Sequence, residues 1–202
     1  METQGPLYPP RICQLVDYQQ ITQANSHLTK FTLRSNLPAW LLLMLNVAAE
    51  YDFLPHFSVC ASLYYSGWNL LRFDFKFRIL SVMPEVRWWL RRDNRGLFAG
   101  IHGGVAWYNL AFGRRHRYQD HDGKSPALGG GVSLGYRFPL RSRNWGMEVA
   151  LGGGLYRLDY DVFRNEPGGV MVDRRRRTLF CLDTAALSVC YSFGMRGKGG
   201  AL

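Results

Sequence analysis

Residues 128–138 read Leu128-Gly129-Gly130-Gly131-Val132-Ser133-Leu134-Gly135-Tyr136-Arg137-Phe138. Leu128, Gly130, Val132, Leu134, Tyr136 and Phe138 fall on one parity; Gly129, Gly131, Ser133, Gly135 and Arg137 fall on the other. The same alternation recurs downstream. Trp145, Met147, Val149, Leu151 and Leu155 alternate with Gly146, Glu148, Ala150, Gly152 and Gly154, and Leu187, Val189, Tyr191 and Phe193 with Ala186, Ser188, Cys190 and Ser192. A period of two places successive side chains on opposite faces of a strand. Each segment therefore has a bulky apolar face and a small or polar one. That pairing suits strands with lipid outside and a narrow polar interior.

Length and composition agree with this reading. The chain has 202 residues, enough for one small barrel, with 14% aromatic residues and 22 glycines. Its longest apolar run, Ala39 to Leu45, is too short for a helical membrane span. Mean hydropathy is mildly negative, as lumen residues and loops dilute lipid-facing positions.

The chain is expected to fold as an all-β, eight-stranded antiparallel up-and-down transmembrane β-barrel, its strands near 31–38, 46–53, 57–66, 76–91, 97–110, 127–138, 144–160 and 179–193. Short turns near 54–56, 92–95 and 139–143 alternate with longer loops at 67–75, 111–126 and 161–178, the arrangement of periplasmic turns and extracellular loops. Only the short apolar link 39–45 departs from it. Residues 1–29 are expected to form a poorly ordered N-terminal extension, residues 30–193 the barrel and 194–202 a flexible tail. Residues 1–29 show no basic stretch followed by an apolar one. An exported barrel needs an export signal, so it was removed, the start is misplaced, or the compartment differs.

Parity assigns Arg34, Asn36, Glu50, Glu85, Arg87, His102, Arg137 and Glu148 to the polar side of their strands. Three guanidiniums and three carboxylates confined in an eight-stranded barrel must pair, because isolated buried ions are very costly. A plugged interior follows, with Gly, Ala and Ser leaving room for the arginines. Pro84 within a strand predicts a bulge that turns Glu85 inward. Outward positions carry Val82, Val86, Trp88, Leu90, Val105 and Trp107, and Tyr136, Trp145, Tyr191 and Phe193 stand near strand ends, where amphipathic rings favour a membrane interface.

The formal charge of +10 raises nucleic-acid binding. No recognition helix, zinc spacing or RNA-binding aromatic signature accompanies it, and no nucleic-acid partner is expected. The basic clusters Arg114, Arg115, Arg117 and Lys124, and Arg174, Arg175, Arg176 and Arg177, are read as outer loops facing lipopolysaccharide phosphates or a surface partner. Cys13, Cys60, Cys181 and Cys190 show no metal-ligand spacing, and small buried or lipid-facing roles are favoured over a disulfide. No catalytic residue, metal site or cofactor is expected.

Met83-Pro84-Glu85-Val86-Arg87-Trp88-Trp89-Leu90, followed by Gly100-Ile101-His102-Gly103-Gly104, resembles the domain of unknown function 3575 family. Leu33 to Leu37, Asn46 to Tyr51, Gly129 to Tyr136 and Gly152 to Tyr160 extend the likeness across about 31–193. The resemblance implies a small outer-membrane barrel of Gram-negative bacteria, found near genes for fimbrial or other surface components. It implies no catalytic residues. The function expected is a monomeric outer-membrane barrel with a structural or cell-surface assembly role. Two alternatives stand beside it. One is a lipid A-modifying enzyme using His102 with Glu85 or Ser133, which lacks a nucleophile motif. The other is a soluble lipocalin-like carrier, with Val132, Leu134, Tyr136 and Phe138 turned inward.

Overall fold

A computed structural model describes residues 30–68, 75–113, 115–140, 144–166 and 168–194. The elements in chain order are β1 (Lys30–Asn36), α1 (Leu37–Leu41), β2 (Leu45–Leu54), β3 (Phe57–Trp68), β4 (Phe75–Trp89), β5 (Gly96–Phe112), β6 (His116–Asp120), β7 (Ala127–Pro139), β8 (Trp145–Arg164) and β9 (Met171–Gly194). All nine strands belong to one antiparallel sheet, and its hydrogen bonding runs in a ring: β9 returns to pair with β1, from Lys30↔Gly194 to Asn36↔Ser188. The expected N-terminal extension and nearly all of the expected C-terminal tail lie outside the described residues.

The strand count differs from the sequence expectation because the stretch 111–126 is not one loop. It contains β6, which pairs with Asn109–Ala111 of β5 and with Tyr160–Arg164 of β8. After a turn at Asp122–Gly123, both at positive φ, β7 resumes in the same direction between the same two neighbours. The expected loop at 161–178 is also mostly strand: β8 runs to Arg164 and β9 starts at Met171. The apolar link after β1 is the five-residue helix α1, with Pro38 in its first turn.

One end of the ring, the turn end, gathers the connections after β2, β4 and β7. His56 there takes a positive φ, and Gly96 does so at the start of β5. The other end, the loop end, carries α1 and the projecting parts of β5, β6, β8 and β9.

Pro84 makes no bulge, contrary to the sequence reading. Pairing with β3 continues through Ala61↔Pro84. Pairing with β5 lapses between Val82↔Val105 and Glu85↔His102 without a change of register. The missing N–H drops a rung of the ladder, and the extended backbone runs on. Glu85 faces inward by parity alone. A register shift does occur in β9, where Gly152↔Thr184 is followed by Gly153↔Leu182, leaving Asp183 as the extra residue.

Side-chain alternation sorts the two faces. Val132, Leu134, Tyr136 and Phe138 are exposed, whereas Ser133, Gly135 and Arg137 are buried. Ile101, at 72% exposure, and Val86, Val149, Leu151 and Leu155 continue the apolar outer face around the ring. The buried apolar core is slight: Trp89 and Phe98, with Ala150 beside them.

Candidate functional site

Charged residues from five strands meet inside the ring. Glu148 on β8 accepts from Arg34 on β1, from Arg87 on β4 at 2.9 Å and from Arg137 on β7 at 2.6 Å. Glu50 on β2 lies 2.7 Å from Arg137, 3.3 Å from Arg87 and 3.6 Å from Arg34. Glu85 holds Arg87 at 2.8 Å and accepts from Ser133 Oγ. Cys60 donates from Sγ to Glu85 Oε2 at 3.2 Å. Three guanidiniums thus face three carboxylates, Glu50 and Glu148 both having side chains without solvent contact. Local dielectric is low, so each ion owes its charged state to the others.

The arginines rest on an aromatic floor nearer the turn end. Arg87 stacks 4.2 Å above the Phe98 ring and Arg137 4.6 Å from that of Trp89. Trp89 and Phe98 have centroids 4.7 Å apart, and Trp89 Nε1 donates to Ser58 Oγ at 2.8 Å. Glycine makes this filling possible: a Cβ on Gly135 would lie 2.6 Å from Val149 O and against the Phe98 ring, and one on Gly104 2.8 Å from the Tyr156 ring. Above the cluster about 30 Å³ stays free.

His102 meets a partner that parity did not predict. Its Nε2 lies 2.7 Å from Asp183 Oδ2, both side chains buried. Asp183 falls on the outward parity of β9, but the extra residue in the register turns it inward. A lone carboxylate on a lipid-type face was the available signal. Asn36, the remaining candidate, stands apart from the ions. Its Nδ2 donates to Ala185 O at 3.3 Å and its Oδ1 accepts from Leu187 N at 3.2 Å, closing the β1–β9 ladder.

A hydrolytic arrangement would need Ser133 or Glu85 to reach His102. Instead Ser133 donates to Glu85, and His102 Nε2 faces Asp183. Metal-type donors come together at the loop end, where His121, Asp122 and Asp161 lie within 4.8 Å of one another. There the imidazole bonds Asp161 at 2.9 Å and sits 3.3 Å from Asp122. Sequence spacing did not reveal this group, since Asp161 arrives from β8. Cys60, Cys181 and Cys190 are free thiols; Cys13 lies outside the described residues.

The predicted outer basic residues lie at the loop end, except Arg114, which is outside the described residues. Arg115 and Lys124 are exposed, and Arg117 stacks 4.6 Å from the Phe163 ring. Arg174 to Arg177 occupy strand rather than loop, opposite Asp161 to Leu158. Asp159 accepts from Arg174 at 3.1 Å and Arg176 at 2.8 Å, and Asp173 from Arg175 at 2.7 Å. These hydrogen bonds hold the Asp159 carboxyl well below the ordinary carboxylate range. Arg177 makes no ion pair among the described residues.

Residues 13–193 match the family model described as Protein of unknown function (DUF3575). The chain belongs to this family. The match covers β1 to β9 almost entirely, so the charged interior of this DUF3575 member lies wholly within it. No curated protein and no solved structure matches the chain.

Proposed function

We propose that the ring is a transmembrane β-barrel of the bacterial outer membrane, with a structural or cell-surface assembly role and no chemistry of its own. Its strands occupy eight staves, because β6 and β7 follow one another between β5 and β8. The observation that carries the reading is the inverted polarity of the two faces. Arg34, Glu50, Arg87, Arg137 and Glu148 are buried while Ile101, Val132, Leu134 and Leu155 are exposed. Water would penalise such an outer face, and a contiguous apolar surface of this extent is foreign to soluble monomers. Hydrocarbon would not penalise it, and a closed sheet leaves no unpaired backbone there. The faces run opposite to those of a lipocalin-type carrier, whose apolar side chains line its cavity.

Aromatic residues at the turn end support the same reading. Tyr51, Phe53, Phe57, Trp88, Tyr136, Phe138, Trp145 and Phe193 are exposed there, as in an interfacial girdle. The turn end then faces the periplasm and the loop end the outside. Ion pairs and the Trp89–Phe98 floor fill the interior, so the barrel is a closed body and not a channel. Arg115, Arg117 and Lys124, at the loop end, are read as contacts for lipopolysaccharide phosphates.

Heat modifiability tests the membrane reading. Folded in detergent, the chain is expected to migrate differently on a gel before and after boiling; identical migration would end the proposal. Replacing Arg115, Arg117 and Lys124 with serine is expected to lower retention on immobilised lipopolysaccharide, and unchanged retention removes that contact. Lipid A incubated with the barrel should be recovered unmodified by mass spectrometry.

A further inference from the structure

The ring is taller on one side than on the other. β9 pairs with β8 along nearly its whole length, from Trp145↔Tyr191 to Phe163↔Met171. On its other edge β1 accompanies it only from Gly194 to Ser188. The Asn36 amide adds a last rung by bonding Ala185 O and Leu187 N, and α1 then leads the chain away. From Met171 to Thr178 that edge of β9 has no strand beside it among the described residues. Every residue of this stretch is exposed.

This edge is braced rather than loose. β8 behind it is paired in turn with β6, His116↔Arg164 to Asp120↔Tyr160. β6 is paired with β5. A firmly held strand whose outer row of N–H and C=O groups lacks a partner strand is a template for an added strand, which would displace the Asp173 Oδ1 now 2.9 Å from the Arg174 N–H. Such a row is untenable in hydrocarbon, so Met171–Thr178 must stand clear of the bilayer. That step rests on the membrane reading proposed above.

We infer that the free edge of β9, Met171–Thr178, is a docking site for an extended acidic segment of a second surface protein, which adds to the sheet as a further strand. Charge selects this occupant. Four consecutive arginines put two guanidiniums on each face of the strand, and Asp159 and Asp173 answer three of them with two carboxylates. A second copy pairing antiparallel across Arg174–Arg177 would set arginine opposite arginine, which is destabilising. The run therefore blocks self-association through the same edge that it offers to an acidic strand. Carboxylates at alternate positions of that strand would meet guanidiniums across the pair. Each guanidinium has five donors, so those bound to Asp159 can still receive them.

The test uses the full chain folded in detergent and a fluorescein-labelled octapeptide alternating threonine and glutamate. Saturable binding is expected, with slowed amide hydrogen exchange at alternate residues between Met171 and Thr178. Methylating alternate backbone nitrogens of the peptide, which keeps its charge but removes donors, should weaken binding by about tenfold or more. The doubly substituted R175E/R176E chain, checked for unchanged heat modifiability, should lose the acidic peptide and gain an octapeptide alternating threonine and lysine. Equal binding of methylated and unmethylated peptide would overturn strand addition. So would exchange protection of this stretch by lipopolysaccharide micelles but not by peptide. A heat-modifiable chain that ignores the peptide sinks the docking site alone, whereas loss of heat modifiability in the parent chain sinks the membrane reading beneath it.

Discussion

His102 and Asp183 lie 81 residues apart in the chain and 2.7 Å apart in the fold, joined across the interior because one extra residue in β9 reverses the direction of a carboxylate. Without that shift Asp183 would face outward beside Leu187 and the aliphatic surface of β8. The pair therefore reports on the register of β9 as well as on the contents of the interior.

Asp183→Ala is expected to destabilise the fold by about 1–3 kcal/mol, since His102 is left buried without its partner. A urea unfolding series on the detergent-folded protein measures this. A double substitution with His102→Phe should recover part of the loss, because both polar groups then leave together.

Glu148 contacts all three interior arginines, and no other carboxylate is as deeply shared with Arg34. Glu148→Gln leaves an unbalanced positive charge in the interior. Its expected cost is about 3–5 kcal/mol, the range for breaking a buried pair on one side. A measured change under 1 kcal/mol would mean that water reaches the cluster.

The outer face offers a direct measure of what wets it. Ile101→Arg on a water-facing sheet should change stability by no more than about 0.5 kcal/mol. If lipid covers it, the same substitution should cost about 2–4 kcal/mol in a bilayer near the midplane. Folding yield into phosphatidylcholine vesicles separates the two.

Gly135→Ala tests the crowding of the interior. The new methyl would press on Val149 O, a backbone atom that cannot swing aside, and on the Phe98 ring. A loss of about 1–3 kcal/mol is expected from overpacking. Phe98→Leu in the same chain should return part of it by vacating the ring.

Acid should loosen the β8–β9 ribbon at the loop end first. Asp159 is held ionised by Arg174 and Arg176, so its folded pKa is depressed. Its contribution is complete above the ordinary carboxyl value of about 3.9 and is lost as pH falls through the depressed one. Exchange protection of Leu158–Asp161, corrected for intrinsic rate, should be flat above about pH 5 and decline below about pH 4. Asp159→Asn should flatten the profile, and salt should weaken it because the groups are near the surface.

By itself the sequence determined eight of the nine strands in outline, their two faces and the six charged residues of the ion cluster. Parity is a local property: Val132 and Ser133 point to opposite sides of any extended strand, whatever pairs with it, so Arg34, Glu50, Glu85, Arg87, Arg137 and Glu148 were assignable one strand at a time. Only the tertiary structure decided what depends on pairing between distant strands. Register set the bulge that brings Asp183 to His102, and it denied the bulge expected at Pro84, where the ladder lapses without shifting. Ring closure decided that β6 and β7 share one position, that Arg174 to Arg177 lie in strand, and that Asn36 ends the β1–β9 ladder instead of joining the ions. Hydrogen-bond partners across a sheet are chosen by the whole set of neighbours at once, and no single stretch of chain carries that choice.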